Sequence, residues 1–432
     1  MEEITYIIRK PRVYFMENHE SYYLYNNSLI SEPANKKDIP NYNYFELFKG
    51  YECSLDGLKL FNENLIEWAY VLRKIYNIDY LKFYKHDDAV YNIFLNYSTN
   101  NIKKYIHQDG IEQSPAIKDI EFFMYEKCAN SALMTINETI KNVKIQCYGY
   151  DCPSYYPHLL GSDLFDFKFP IREGKKSKMI NLKKQLKYGI YECKITCDDS
   201  NFKKLFMFTK NNVYTHYSIN FCLKYRAKFN IRIELLNLDN DSNCYVYEDC
   251  DLVKSSLVFG DWFNKLYKIK KEIPDNKLVK HLLSSLWGSL IKFNRSIIHD
   301  IDELNKLDIS HINDVEENTQ YKILEIYSRF DSELDDSVRS FSITDTTHPY
   351  KNNYRIKPFL TSYARKQFGD IIIQTVDNLD DVVRIHTDSV VLKKEYDFTK
   401  LNYYPVFEAK TSGLITWKNI MVNDVPKKTA LK

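Results

Sequence analysis

The chain has 432 residues, enough to bury a large core and to form two or three subdomains. Hydrophobic residues make up 44% and charged residues 27%, and no run of about 18 apolar residues occurs, so a soluble globular protein without a membrane span is expected. Sixty basic against 58 acidic residues leave a net charge of +2, so global charge does not call for a polyanionic partner.

Along the chain, Met1-Glu2-Glu3 is acidic and lacks an apolar signal core. Phe61 to Tyr76 reads as an amphipathic helix, with Leu65, Trp68, Leu72 and Ile75 at helical spacing in a core. Val143, Ile145 and Cys147 alternate as a half-buried strand that runs into Asp151, and Pro153 ends it because proline cannot donate to the ladder. Tyr188 to Ile195 reads as a second strand. Tyr214 to Tyr225 reads as a helix, followed by a strand through Ile231, Ile233 and Leu235. Asp261–Lys271 and Lys277–Phe293 read as two helices joined by the turn residues Pro274-Asp275-Asn276, a helical hairpin. Ile371 to Val376 is β-rich. Val382–Ile385 and Val390–Leu392 flank His386-Thr387-Asp388-Ser389, which predicts a hairpin with Asp388 at its tip.

The nine cysteines include no Cys-x-x-Cys pair and no histidine at zinc-finger spacing, so they read as reduced thiols of an intracellular protein. Charge is distributed unevenly. Arg172 to Lys187 holds seven Lys or Arg and one acid, and Lys265 to Lys280 holds six lysines and two acids. Asp300 to Asp336 holds twelve acids and three bases. Local basic stretches suit phosphate contacts, although most such runs are solvated faces.

Two aspartate motifs carry the chemistry. Asp151-Cys152-Pro153-Ser154-Tyr155-Tyr156-Pro157 and His386-Thr387-Asp388-Ser389 each stand where a strand should end, 237 positions apart. Two carboxylates meeting at strand ends can hold a pair of Mg²⁺ ions for phosphoryl transfer, if their strands are neighbours in one sheet. The carbonyl of Cys152 adds a further oxygen. Between them lies Lys280 to Gly288. On a helix turning about 100° per residue, Lys280, Ser284, Trp287 and Ile291 share one face. Leu282, Leu283, Leu286 and Leu290 share another. A cation, a hydroxyl and a flat ring in line suit a triphosphate, a sugar edge and a base. Gly288 permits close approach to the helix, and Lys270 on the preceding helix adds a second charge.

The three motifs, in this order, resemble those of family B DNA polymerases. Asp151 to Pro157 is similar to the family's Asp-x-x-Ser-Leu-Tyr-Pro, with Tyr155 in the Leu place. The resemblance implies that Asp151 is a metal ligand, that Ser154 lies in the nucleotide site, and that Tyr156 packs under the sugar and excludes a 2′-hydroxyl. Lys280 to Gly288 resembles the fingers motif Lys-x-x-x-Asn-Ser-x-Tyr-Gly, with Ser284 for Asn and Trp287 for Tyr. That match implies that Lys280 and Lys270 hold triphosphate. His386 to Ser389 resembles Tyr-x-Asp-Thr-Asp-Ser: Asp388 keeps the stronger metal ligand, His386 replaces the first Asp, Arg384 replaces the Tyr, and Thr387 is implied beside the primer. Tyr363-Ala364-Arg365 also looks family-like. Lys400 to Glu408, with Lys418 after it, faintly resembles the primer-side segment, although Ile420 stands in its Tyr place.

The resemblance spans about residues 120 to 420 and implies an α+β fold with an antiparallel palm sheet and a helical fingers hairpin. The expected organisation is 1–140 as a divergent N-terminal domain, a worn exonuclease remnant; 141–260 as the first part of the palm; 261–295 as fingers; and 296–432 as the second part of the palm with a vestigial thumb, since 44 residues follow Asp388. Apart from Asp119-Ile120-Glu121 no Asp-x-Glu occurs in the N-terminal third, and no proofreading is expected. Tyr125 to Asn130 stands in the place of a Tyr-x-Gly-Gly template loop, with Ala129 and Asn130 for the glycines. The implied activity is template-directed DNA synthesis from dNTPs with two Mg²⁺ ions, or Mn²⁺ in their place. The partners are template-primer DNA and a terminal protein or other replication factor. The reduced motifs suggest a viral or mobile-element origin. The alternative is a degenerate palm that binds nucleic acid or a replication partner without catalysis, which His386 and the short C-terminal segment favour.

Overall fold

A computed structural model of the chain describes residues 11–17, 20–25, 28–33, 43–83, 86–97, 119–128, 131–136, 143–182, 186–290, 293–298, 306, 309–311, 321–329, 338–349, 355–400 and 407–416. In chain order, strands β1 (Pro11–Glu17), β2 (Glu20–Tyr25), β3 (Ser28–Pro33) and β4 (Asn43–Glu46) precede helices α1 (Leu55–Tyr76) and α2 (His86–Tyr97). Then come α3 (Asp119–Lys127), β5 (Met134–Ile136), β6 (Lys144–Asp151), α4 (Tyr155–Gly161), β7 (Lys168–Pro170) and β8 (Lys175–Ser177). They are followed by β9 (Gly189–Thr196), α5 (Ser200–Leu205), β10 (Val213–Thr215), α6 (His216–Lys224), α7 (Arg226–Phe229), β11 (Arg232–Leu235), β12 (Cys244–Val246) and β13 (Leu252–Lys254). The remainder is α8 (Ser256–Glu272), α9 (Lys277–Leu290), β14 (Phe293–Ile298), β15 (Ile309–His311), β16 (Tyr321–Arg329), β17 (Val338–Pro349), α10 (Lys357–Thr375), β18 (Val382–His386), β19 (Ser389–Leu392) and β20 (Glu408–Thr416). Among the described residues no helix is long and apolar enough to cross a membrane.

The chain divides into two units. Met1–Ser98 and Asn264–Lys351 form one, and Thr99–Phe263 and Asn352–Lys432 the other. In the first, a sheet in the order β3-β2-β1-β4 is antiparallel apart from the β1–β4 pair. Helix α1 starts where the Ser54 hydroxyl accepts from the Gly57 N–H at 3.1 Å and stops where Asn77 takes up a left-handed conformation. It buries Leu58, Phe61, Leu65, Ala69 and Leu72. Trp68 is only half-buried, and Ile75, expected in the core, is 62% exposed. The buried stripe ends one turn earlier than the apolar sequence pattern. The hairpin expected from α8 and α9 forms. Asn276 caps α9 by accepting from the Leu278 N–H and donates its amide to the Trp68 carbonyl at 3.1 Å. A second sheet runs β14-β17-β16-β15.

The buried aromatic cluster of this unit contains two histidines. Phe48 stacks on His86 and on His281, with ring centroids 4.6 and 5.0 Å apart. Nε2 of His86 donates to the Glu46 carbonyl at 2.9 Å, so its Nδ1 accepts from the Tyr80 hydroxyl at 2.7 Å. Burial, with His281 adding, lowers His86 to about 3, and burial lowers His281 to about 4.

In the second unit one sheet runs β10-β9-β12-β8, with β11 also on β9. Another runs β20-β6-β19-β18-β5 and is antiparallel throughout. Strand β9 and strand β11 form as the sequence predicts. Tyr214 does not begin a helix: it lies in β10, and Thr215 caps α6, which starts at His216. The larger correction concerns Ile371 to Val376, expected as a strand. Ile371, Ile372 and Ile373 lie in α10, which Pro358 opens and which is buried over most of its circumference. A helix buried all round shows no amphipathic period, so its β-branched end imitates a buried strand.

Glu121 and Arg355 form a buried ion pair in this unit, both fully inaccessible. The guanidinium donates through Nε and Nη2 to the two carboxylate oxygens, at 2.9 and 2.8 Å, and the Tyr125 and Tyr247 hydroxyls donate to Oε1 at 2.7 Å each. A bidentate pair whose remaining acceptor sites are filled tolerates burial, whereas removing one partner leaves an uncompensated charge. Arg355→Met is expected to destabilise the protein by about 3–5 kcal/mol, read as a lower denaturant midpoint. His86, buried, and His281, half-buried, add a pH dependence of definite sign. Unfolded, each binds a proton near pH 6.5; folded, each stays neutral to about pH 3–4, so their contribution to stability is constant above pH 7 and falls as pH drops below 6.5. The expected slope reaches about 1.4 kcal/mol per pH unit per histidine. Denaturation of His86→Phe across that window should show a shallower slope.

Candidate active site

Strand β6 lies between β19 and β20, so its last residue has a neighbour on each side. Asp151 is paired with Ser389 of β19 and with Glu408 of β20. Asp388 precedes Ser389 in the turn between β18 and β19. The backbone N–H of Cys152 donates to the Asp388 carbonyl at 2.9 Å, which closes the ladder one step beyond the last strand pair. Asp151 and Asp388 therefore stand side by side at one end of the sheet, each half-exposed, and the more exposed Glu408 stands across Asp151 from them.

The turn is tight. Thr387 has φ 63°, a left-handed conformation unfavourable for a β-branched residue. Its N–H donates to the Leu133 carbonyl at 2.8 Å, and the Ser389 hydroxyl donates to the His386 carbonyl at 3.0 Å. The exposed His386, where the resembling motif has an acid, is the last residue of β18.

After Asp151 the chain turns through Ser154, also left-handed at φ 55°, into α4. Tyr155 and Tyr156 are buried at its start. The Tyr155 hydroxyl donates to the Ala364 carbonyl at 2.6 Å. Burial pushes the Tyr156 phenol up to about 12, with Arg365 opposing and Asp388 adding to the shift. The Arg365 guanidinium is buried and donates to the Ser131 carbonyl, and burial lowers it to about 10. The segment Tyr363-Ala364-Arg365, marked in the sequence by resemblance alone, thus lies against Tyr155 and Tyr156.

Charge at the strand ends is negative. Burial raises the Cys152 thiol, and Asp388, Asp151 and Glu408 raise it further. Lys410 forms an ion pair with Glu408 at 2.8 Å, and that bond together with Asp151 raises its ammonium. Among the described residues no group of three or more His, Cys, Asp or Glu side chains is arranged to hold a metal ion. A pair of carboxylates and a backbone carbonyl is nevertheless the kind of hard-oxygen set that Mg²⁺ uses when substrate phosphates and water complete its shell.

Asp151, Cys152, Ser154, Tyr156, Thr387 and Asp388 thus lie in one unit around one sheet end. Lys270, Lys280, Ser284 and Trp287 lie in the other unit, on the α8–α9 hairpin. Lys280 and Ser284 are exposed and Trp287 half-exposed, while Leu282, Leu283, Leu286 and Leu290 are buried, as the helical spacing predicts. The Ser284 hydroxyl donates to the Lys280 carbonyl at 2.9 Å. An added Cβ at Gly288 would meet open space. Ile291, Ala129, Asn130 and Lys418 lie outside the described residues. Sequence reasoning did not assign Glu408 or Lys410 to the site. Their place beside Asp151 comes from the β20–β6 register, for which the sequence carries no spacing signal.

No family model matches the sequence. No curated protein matches it. Among solved structures, "Phi29 DNA polymerase complexed with single-stranded DNA" is similar at 13% identity with a TM-score of 0.49, over 83% of this chain and 56% of that one. "Phi29 DNA polymerase complexed with primer-template DNA (post-translocation binary complex)" is similar at 14% identity and a TM-score of 0.46, over 83% and 55%. The ternary complex of that polymerase with primer-template DNA and incoming nucleotide substrates gives 13% and 0.45, over 79% and 53%. The chain spans about half the length of these proteins. A likeness at this level is to a distant fold and says nothing of chemistry.

Thr387→Asn should relieve the turn, since Asn tolerates the left-handed region. The expected gain is about 1 kcal/mol of stability in denaturant unfolding.

Proposed function

We propose that the chain is a template-directed DNA polymerase that joins dNTPs to a primer 3′-hydroxyl. What supports this reading is the β6–β19 register, which sets Asp151 beside Asp388 from 237 positions away. Asp151, Asp388 and the Cys152 carbonyl would hold divalent cations, which supply activation of the attacking hydroxyl and charge neutralisation at the leaving pyrophosphate. The remaining work is positioning. The buried Tyr156 offers a fixed ring beneath the sugar, and a ring packed there leaves no room for a 2′-hydroxyl. Lys280 and Lys270 would bind the triphosphate as point charges, and Trp287 would present a flat face to the base. Ser154 and Thr387 would hold the backbone turns that aim the carboxylates, Thr387 beside the primer. In the absence of an acidic residue at position 386, Asp388 carries the hairpin's negative charge at that end.

A second reading, a palm-like protein that binds nucleic acid without catalysis, is favoured by His386, which puts imidazole where the resembling motif has an acid. Primer extension on a primed DNA template separates the two. Wild type should extend with Mg²⁺ and dNTPs, and Asp151→Asn and Asp388→Asn should each lose about 10²-fold or more. No extension by wild type, with DNA binding intact in all three proteins, would overturn the polymerase reading. His386→Asp should raise extension about tenfold, equivalent to ~1.4 kcal/mol of barrier, if the enzyme is weakened at this position; a pure binding protein would gain nothing.

A further inference from the structure

The basic run from Arg172 to Lys187 takes no part in the site above. Residues 172–180 form the outer border of the β10-β9-β12-β8 sheet. Among the described residues strand β8 is its edge, paired only with β12 through Ser177–Cys244, Lys176–Tyr245 and Lys175–Val246. Gly174 lets the chain approach that sheet: an added Cβ would stand 2.7 Å from both the Tyr245 ring and the Val246 carbonyl oxygen. Beyond the strand the buried Asn243 extends the pairing. Its backbone N–H donates to the Ser177 carbonyl at 3.1 Å, its side-chain oxygen accepts from the Met179 N–H at 2.8 Å, and its amide donates to the Met179 carbonyl at 2.9 Å. The backbone from 174 to 179 is therefore fixed at both ends.

Four cations project from this border. Arg172, Lys175, Lys176 and Lys178 are all exposed, and none forms an ion pair with a described residue. Nearby lysines behave differently: Lys187 pairs with Glu248 at 3.1 Å and Lys254 with Asp163 at 3.7 Å. The one acid of the run, Glu173, is half-buried and acts on the buried Tyr245 phenol. Lysines on an edge strand also block edge-to-edge pairing. That use does not call for Arg172 and Lys178, which lie outside the strand.

We propose that this border binds the sugar-phosphate backbone of a nucleic acid duplex. The proposal rests on the polymerase reading, for which it would supply a grip on the duplex independent of the carboxylates. Only 175–177 is strand, so from 172 to 178 the border spans at most about 20 Å, the extended limit at ~3.3 Å per residue. One strand of B-DNA places about six phosphates in that length, within reach of four flexible cations. Residues 171–180 contain no aromatic side chain, so the border has no platform on which unstacked bases could lie. Contacts made only to phosphate are independent of sequence and steeply salt-dependent.

The test is fluorescence anisotropy with a labelled DNA duplex and the full chain, without divalent metal, from about 50 to about 200 mM salt. The triple variant Lys175→Glu, Lys176→Glu, Lys178→Glu should bind at least about tenfold more weakly and lower the log–log salt slope by about 2–3. The matching Lys→Gln variant should fall between, with both melting as wild type does. A single strand of the same length should be affected less. Unchanged affinity and slope in a folded triple variant would overturn the proposal, as would polyglutamate competing as well as duplex, which would assign the border to an acidic protein. The assay needs no turnover and can be repeated in Asp151→Asn. Lysine-dependent duplex binding without primer extension would retire the polymerase reading alone; extension with lysine-independent binding would retire this proposal alone.

Discussion

The pairing of β6 with β19 is the constraint on which the rest of the candidate site depends. Strand side chains alternate between faces, so a slip of one residue would send Asp151 to the opposite face from Asp388. The Cys152–Asp388 hydrogen bond and the tie from Thr387 to the Leu133 carbonyl act against such a slip at the point where it would matter. On the other edge β20 follows β6 over eight residue pairs, with an irregularity between Ala409 and Thr411, and so sets Glu408 across from Asp151. Backbone hydrogen bonds, which any sequence can make, thereby gather carboxylates whose mutual repulsion would otherwise keep them apart.

Helix α10 supports that arrangement from below. It carries Ala364, whose carbonyl accepts from Tyr155, and Arg365, whose buried charge acts on Tyr156. Just before its start, Arg355 enters the fully buried network with Glu121, Tyr125 and Tyr247. Such a network is stable only when every member is satisfied, which makes it a strong determinant of where α3, β12 and the start of α10 meet. Hydrophobic contacts add area around it, as in the packing of Tyr188 on Phe359 with ring centroids 4.6 Å apart, but they tolerate small displacements that a bidentate ion pair does not.

Charge is segregated within the second unit. The carboxylates at the strand ends carry one sign, relieved in part by Lys410. The border at β8 carries the other, with its cations unpaired among the described residues. A net charge of +2 conceals this, because opposite fields on different surfaces cancel in the sum while each acts locally over about a Debye length.

Much of this was legible in the chain. The β18–β19 hairpin, the α8–α9 hairpin and the leucine face of α9 follow from local periodicity and turn chemistry, which depend on neighbours a few positions apart. The two strand-end aspartates could be picked out for the same reason. Ile371 to Ile373 misled because a helix buried on all sides loses the period that marks it, and Ile75 because an apolar position does not reveal where its cover ends. Glu408 beside Asp151, Arg365 near Tyr156 and the enclosure of Glu121 with Arg355 had no local signature. They arise from contacts between residues more than 200 positions apart, and the energy of those contacts exists only once the chain has closed on itself.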